Sequence, residues 1–109
     1  MLIRRLVVAV LAVVGTATFA LAEETYNVSF IDHRIEPAEL NVPAGQAFEL
    51  VVKNADTTPE EFESHDLDLE KLIPSGQEVT FSIEALEPGR YAIFGEFHQA
   101  TAQGAIVVE

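Results

Sequence analysis

The sequence contains no cysteine, and its single methionine is Met1. Without cysteine, no disulfide can stabilise a small domain, although exported proteins often use them. No thiolate is available for nucleophilic catalysis, redox exchange or soft metal coordination. We therefore expect stability to come from a packed core, and any metal site to use nitrogen and oxygen ligands.

Basic residues are also few. Six Lys and Arg stand against 18 Asp and Glu, which gives a formal net charge of −12. A chain this acidic repels nucleic acid and anionic lipid surfaces, and it attracts cations or a basic partner. The sequence also gives no sign of a catalytic Ser-His-Asp triad, a phosphate loop or a CxxC motif. We expect no nucleic-acid partner, and no substrate class is indicated.

The first 22 residues have the features of a secretory signal peptide. Arg4 and Arg5 form a basic start, residues 6–14 are an unbroken apolar run, and Ala20-Leu21-Ala22 is a small-x-small cleavage site. The apolar run is too short to span a bilayer. We predict a signal peptide over residues 1–22, one domain over 23–109, and no transmembrane span after cleavage. An uncleaved N-terminal anchor is the alternative.

The remaining chain consists of short runs rich in Val, Ile, Phe and Tyr, separated by turn residues. This pattern is typical of an all-β sandwich or barrel. Seven runs read as strands, residues 35–37 read as a bend, and residues 66–73 fit a short helix or a strand. Tyr91 follows the turn Pro88-Gly89, which predicts a tyrosine corner in a Greek-key sandwich.

The order of the turns resembles that of cupredoxin-like domains over nearly the whole of residues 23–109. The resemblance rests on Ile35-Glu36-Pro37, Val42-Pro43-Ala44-Gly45, the Asn54 loop, Leu86-Glu87-Pro88-Gly89-Arg90-Tyr91 and Gly104-Ala105-Ile106-Val107-Val108. It implies an all-β, cupredoxin-like Greek-key β-sandwich of about seven strands. Two shorter motifs, Pro59-Glu60-Glu61-Phe62-Glu63-Ser64 and Glu96-Phe97-His98, resemble the EfeO-type branch, and within it the small periplasmic FtrB-type components of ferrous iron uptake systems.

The resemblance also shows which ligands of a blue copper centre are changed. Such a centre uses two His, one Cys and a weak axial Met. Glu60 stands in the place of the first His, Gly95 in that of the Cys, and Gln103 is nearest to the Met. Only His98 matches a ligand, as the second His. We therefore expect no type 1 blue copper site.

Hard ligands take the place of the soft ones, and the EfeO-type resemblance implies that carboxylates of Glu61-Phe62-Glu63 bind metal. Residues two apart in a strand share a face, with Cβ atoms about 7 Å apart, so Glu61 and Glu63 would point outward and Phe62 into the core. A cation would relieve the repulsion between the carboxylates. We predict a site for a copper or iron ion formed by Glu61, Glu63, Glu96 and His98.

Each candidate also has a purely structural interpretation. Glu61, Glu63 and Glu96 are ordinary surface acids in that view, and His98 is held by a backbone carbonyl. Several other residues stay open as ligands or as surface and loop residues: Asp32, His33, Glu60, His65, Asp66 and Gln103. Glu70 is expected to be a solvated acid.

The resemblance implies a periplasmic metal-binding protein of a ferrous iron uptake system. An iron permease and a separate periplasmic iron-binding protein would be its partners, and it would capture or oxidise ferrous iron. Two alternatives remain: a non-enzymatic metal-binding or chaperone module, and an interaction domain without metal. The absence of Cys and of Met after Met1 favours a non-enzymatic module over a redox centre.

Overall fold

The computed structural model describes residues 9–10, 12–15 and 23–109. Most of the predicted signal peptide, including its basic start and its cleavage site, lies outside the described residues, so its cleavage stays a prediction. Among the residues that are described, no helix is both long enough and apolar enough to cross a membrane.

The described domain is built from nine β-strands and one short 3-10 turn. The strands are β1 (Glu24–Ile31), β2 (Arg34–Glu36), β3 (Glu39–Val42), β4 (Phe48–Asn54), β5 (Glu60–Ser64), β6 (Leu69–Ile73), β7 (Glu78–Ile83), β8 (Gly89–Gly95) and β9 (Gln103–Val108). The 3-10 turn, Glu96–His98, lies between β8 and β9.

The strands form two sheets, with the orders β2-β1-β4-β7 and β3-β9-β8-β5-β6. The pairs β1–β4 and β3–β9 are parallel, and the other pairs are antiparallel. The predicted all-β sandwich is confirmed, but the count of seven strands is wrong. Residues 35–37 were expected to form a bend, but Ile35 and Glu36 belong to β2, which pairs with β1 because Ile35 is buried opposite Phe30. The ambiguous segment supplies β6.

The core lies between the sheets and follows the period-2 alternation of the strands. In β4, for example, Phe48, Leu50 and Val52 point inward. The buried apolar residues form one cluster: Val28, Phe30, Ile35, Leu40, Val42, Phe48, Leu50, Val52, Phe62, Ile73, Ile83, Ile93, Ala102, Ile106 and Val108. This single core supplies the stability that no disulfide provides.

Two local features tie the sheets together. Phe62 of β5 is fully buried, and its ring centroid lies 6.3 Å from that of Phe30 and 5.4 Å from that of Phe81, both in the facing sheet. The Tyr91 hydroxyl donates a hydrogen bond to the carbonyl of Glu87 at 2.8 Å. This bond back to the preceding turn confirms the predicted tyrosine corner.

One end of the sandwich, which we term the mouth, is formed by the β1–β2 turn, the β4–β5 loop and the β8–β9 connection. The buried Asn54 organises the middle loop. Its amide nitrogen donates to the carbonyls of Thr58 (2.8 Å) and Ile73 (2.9 Å), and its amide oxygen accepts from the N–H of Asp56 (3.0 Å). The loop is therefore held in one conformation by a fully bonded side chain.

The loop then fixes the β1–β2 turn. Asp32 and His33 have φ angles of 52° and 58°, a left-handed conformation that non-glycine residues seldom adopt. Their N–H groups donate to the carboxylate of Asp56 at 2.7 and 3.0 Å. These two bonds offset the cost of the conformation and hold His33 at the mouth.

Candidate metal centre

The glutamate side chains of strand β5 lie on two different faces of the sheet. Glu60 and Phe62 point into the sandwich and are buried. Glu61 and Glu63 point to the outer face of the five-stranded sheet, as the alternation of a strand requires. Neighbouring residues of one short motif thus belong to two separate groups.

The outer face carries a group of acids that we term the carboxylate cluster: Glu61, Glu63, Glu70 and Glu96. One carboxylate oxygen from each of Glu61, Glu63 and Glu70 lies within 4.8 Å of the others. Glu63 is directly opposite Glu70 in the β5–β6 pair. Glu96, the first residue of the 3-10 turn, lies within hydrogen-bonding reach of Glu63. Two of the four predicted ligands, Glu61 and Glu63, are therefore brought together with Glu70, and Glu96 adjoins the group through Glu63.

The carboxylates change one another's pKa values, because each of them faces other carboxylate oxygens. The hydrogen bond with Glu96, the burial of the side chain and the contact with Glu61 raise the pKa of Glu63 from 4.5 to about 8. The pKa of Glu61 is also raised, chiefly by its hydrogen bond with Glu70, while its hydrogen bond with Glu63 acts in the opposite direction. Without a cation, the cluster keeps protons that isolated carboxylates would have lost near neutral pH.

One expectation about these acids was wrong. Glu63 is not a surface acid, since only 8% of its surface is exposed; its neighbours Glu61, Glu70 and Glu96 crowd around it. Glu70 is exposed, as expected of a solvated acid, and one of its carboxylate oxygens lies within 4.8 Å of those of Glu61 and Glu63. The contact of Glu70 with Glu63 follows from the register of the β5–β6 pair. The sequence could have predicted it only if residues 69–73 had been assigned to a strand.

His98 lies at the mouth, where its Nδ1 is 2.6 Å from Oε2 of Glu60. An ionised carboxylate can only accept, so with Glu60 ionised this contact requires a proton on Nδ1 of His98. The partner is thus a carboxylate and not the backbone carbonyl of the structural interpretation. The structure does not bring His98 into the carboxylate cluster, and its role as a ligand stays a prediction.

Glu60 receives two further hydrogen bonds. Its Oε1 accepts from the N–H groups of Glu61 (3.0 Å) and Phe97 (2.8 Å). The side chain is only 3% exposed. A buried carboxylate is costly unless donors surround it, and here three donors do. We term Glu60 and His98 the mouth pair.

The mouth does not fit the copper ion that a cupredoxin-like fold implies. A Cβ added at Gly95, the position that the sequence resemblance assigns to the Cys ligand, would lie 2.7 Å from Cδ of Glu60 and 2.9 Å from Cβ of Ala102. Real Cβ atoms essentially never approach so closely. The carboxylate of Glu60 therefore fills the space that a ligand side chain would need, and Nδ1 of His98 is engaged by that carboxylate. The expectation that no type 1 site can form agrees with this packing.

The other two histidines contact rings or hydroxyls. The ring of His33 stacks on that of His98, with centroids 3.6 Å apart and planes at 10°, and its Nε2 is 3.4 Å from Oγ1 of Thr58. His65 packs against the ring of Phe94, with centroids 5.2 Å apart. His33 is at the mouth as expected, whereas His65 contacts β8.

The remaining candidates have structural partners. Asp66 accepts a hydrogen bond from the N–H of Ala92 at 2.8 Å, which ties the β5–β6 turn to β8. Gln103 donates its amide to the carbonyl of Gln99 at 2.8 Å and so closes the β8–β9 connection. These contacts match the loop-residue interpretation of both side chains.

Comparison with known proteins places this arrangement in a wider group. The family model described as "Cupredoxin-like domain" matches residues 4–108. A curated relative from Rickettsia prowazekii (strain Madrid E), "Uncharacterized protein RP394", is 44% identical over 81 residues, which are 74% of this chain and 65% of the relative. The chain thus spans slightly less than two thirds of that relative's length.

Solved structures show the same fold at low identity. A copper(I) form of an amicyanin mutant aligns with a TM-score of 0.61 and 23% identity, covering 85% of this chain and 88% of the other. A purple cupredoxin from Nitrosopumilus maritimus gives 0.61 and 18%, covering 76% and 98%. The metal-binding domain of the Streptococcus pneumoniae D39 Cu(I)-exporting P-type ATPase CopA, with Cu(I), gives 0.71 and 14%, covering 84% and 91%. The chain belongs to the cupredoxin-like domain family.

Proposed function

We propose that this protein binds a copper or iron ion, and that the ion is held by the carboxylate cluster on the outer face of the sheet. The observation that carries the proposal is the convergence of Glu61, Glu63 and Glu70 within 4.8 Å, with Glu63 almost fully buried. Glu96 contacts Glu63 and supplies a fourth carboxylate. Like charges placed opposite each other on a sheet are destabilising unless a proton or a cation lies between them.

The electrostatics of the cluster support a cation as the physiological occupant. The raised pKa values of Glu61 and Glu63 mean that the cluster releases bound protons when a cation enters. A divalent or trivalent ion replaces those protons and neutralises several carboxylates at once.

The chemistry of the ligand atoms in the cluster limits which ion it would bind. Amicyanin and the CopA domain, both of similar fold, have structures described with Cu(I). The cluster offers carboxylate oxygens, which are hard ligands, while Cu(I) prefers soft thiolates and thioethers. We therefore propose cupric, ferrous or ferric ion as the occupant, and not cuprous ion.

The wider role we propose is in ferrous iron uptake in the periplasm. It is supported by the likeness of Pro59–Ser64 and Glu96–His98 to EfeO-type sequences and by the signal-peptide features of residues 1–22. The protein would deliver iron to a permease, together with a periplasmic iron-binding protein. If the carboxylate cluster held a cupric ion, that ion would supply a one-electron acceptor for ferrous iron, and the carboxylate oxygens would favour the ferric product.

A non-enzymatic role as a metal carrier is the second candidate. It is favoured by the absence of cysteine and of any methionine after Met1, since these soft ligands stabilise the cuprous state of a redox couple. Mixing ferrous ion with the copper-loaded protein separates the two roles. Formation of ferric ion at the rate of copper reduction supports the oxidase, and unchanged ferrous ion supports the carrier.

The test of the site is calorimetric titration of the metal-free protein with cupric, ferrous and manganous ions. The double variant Glu61→Gln with Glu63→Gln should lower the affinity on the order of 100-fold, because it removes two charged ligands with little change in volume. Glu78→Gln with Glu84→Gln is the matched control, since both residues are exposed and lie in or beside β7 of the other sheet. Equal loss in both double variants would show a diffuse charge effect, and no loss in either would refute the site.

A further inference from the structure

Three N–H donors converge on the Glu60 carboxylate at the mouth: Nδ1–H of His98 at 2.6 Å and the backbone N–H groups of Phe97 and Glu61 at 2.8 and 3.0 Å. From this geometry we infer that the carboxylate of Glu60 stands where a metal ion would be bound in this fold, so that this position is filled by a carboxylate–imidazole hydrogen bond and holds no metal. The inference is independent of the carboxylate cluster.

The polarity of the mouth is the first argument. A metal ion at the position of the Glu60 carboxylate would need lone pairs directed at it, whereas the backbone N–H groups of Glu61 and Phe97 and Nδ1–H of His98 direct hydrogens there. The two backbone N–H groups cannot reverse their polarity. The surroundings therefore suit an anion, which the chain supplies from Glu60.

The available space is the second argument. Oε2 of Glu60 would lie 2.9 Å, and its Cδ 2.7 Å, from a Cβ at position 95. Gly95 is itself held by a hydrogen bond from its N–H to the carbonyl of Ala102 at 2.8 Å. Gly95 and Glu60 therefore fit as a pair, in which the missing side chain of one leaves room for the carboxylate of the other.

The pair also positions the 3-10 turn. Glu60 contacts Phe97 and His98, two of the three residues of Glu96–His98, and so joins the turn to the start of β5. The remaining residue of the turn, Glu96, contacts Glu63 on the outer face. Glu60 is thus a positioning residue for the turn and not a ligand.

The first experiment measures which ring nitrogen of His98 carries the proton, from long-range ¹H–¹⁵N correlation spectra of the metal-free protein. The chain has only three histidines, which simplifies assignment. We expect a proton on Nδ1 of His98. In Glu60→Gln the amide oxygen still accepts from the two backbone N–H groups, so the amide nitrogen faces His98 and Nδ1 must lose its proton. Glu61→Gln, the adjacent control, should leave Nδ1 protonated.

A wild-type His98 without a proton on Nδ1, or one that does not respond to Glu60→Gln, would overturn the inference. The second experiment loads the protein with cupric ion and records imidazole nitrogen couplings by electron paramagnetic resonance. His98→Asn should change neither the couplings nor the affinity beyond about twofold, whereas loss of a coupling or a tenfold weaker affinity would place the metal at the mouth. If the protein takes up no cupric ion, the choice of copper as the bound ion fails while the Nδ1 result still decides this inference.

Discussion

The mouth pair and the carboxylate cluster place the same amino acid in opposite electrostatic surroundings. Glu60 and Glu63 are both buried and only three residues apart. Glu60 faces three N–H donors, whereas Glu63 faces the carboxylates of other glutamates. The partners that the fold supplies, and not burial alone, decide whether a buried acid is satisfied or strained. We therefore propose that the mouth is a structural contact and that the cluster is the place where a cation binds.

Strand β5 carries residues of both regions, and its packing against the facing sheet is tested at Phe62. Replacing this fully buried ring by alanine leaves a cavity against Phe30 and Phe81, and we expect a loss of about 3–5 kcal/mol in the free energy of unfolding. Urea denaturation measures it. Phe97→Ala is the control, because Phe97 is half exposed and should cost far less. A cost below about 1 kcal/mol for Phe62→Ala would contradict the packing described here.

The hydrogen bonds of the mouth pair are removed, without a change in the carboxylate cluster, by Glu60→Ala. The change leaves the His98 Nδ1–H and the N–H groups of Glu61 and Phe97 without their acceptor, and we expect a loss of about 3 kcal/mol in stability. Thermal and urea unfolding measure it. Glu61→Ala, one residue away on the outer face, removes no such acceptor and serves as the control. Equal stability of the two variants would mean that the three bonds contribute nothing net.

The cluster is tested by the pH dependence of stability, which should show a smaller effect. The folded-state pKa of Glu63 is raised to about 8 from 4.5, so its neutral form is favoured by folding. This contribution is complete below pH 4.5 and is lost as the pH rises through about 8. The metal-free protein should therefore lose stability over that window, relative to Glu63→Gln, which cannot ionise. Unfolding measured with a chelator present gives the difference.

Glu78→Gln, on the exposed face of the other sheet, is the control for that measurement, and its difference from the wild type should stay flat with pH. A flat difference for Glu63→Gln as well would show that the cluster does not hold its protons. Adding a metal ion that binds the cluster should remove most of the loss at high pH, because the cation then takes over the role of the proton.

The alternation of β5 was predictable from the sequence, and the cluster was only partly so. The period of two placed Phe62 in the core and Glu61 with Glu63 on one face, which the structure confirms. Glu70 was missed because its contact depends on a cross-strand register, and residues 66–73 fitted both a helix and a strand. The burial of Glu63 was missed for a similar reason, since the side chains that crowd around it come from other elements.

The mouth pair could not be predicted from local pattern. Glu60 and His98 are 38 residues apart, and their meeting depends on how a loop and a 3-10 turn fold over the end of the sandwich. The resemblance placed both residues near the mouth, but it presented them as separate candidate ligands. Gly95 leaves room for the carboxylate of Glu60 because a Cβ at position 95 would overlap with it. This fit depends on the folded positions of the two residues, which the local sequence pattern does not give.

The direction of the first and last strands has a practical consequence. Strand β1 runs from Glu24 towards the mouth, and β9 runs from the mouth towards Val108, so both outer ends of the described domain lie at the opposite end of the sandwich. With about 3.3 Å per residue, the eight residues of β1 and the six residues of β9 are roughly 26 and 20 Å of strand. A dye, an affinity label or a surface linker attached at either end would therefore leave the mouth and the carboxylate cluster facing the solution, where binding can be recorded on an immobilised molecule.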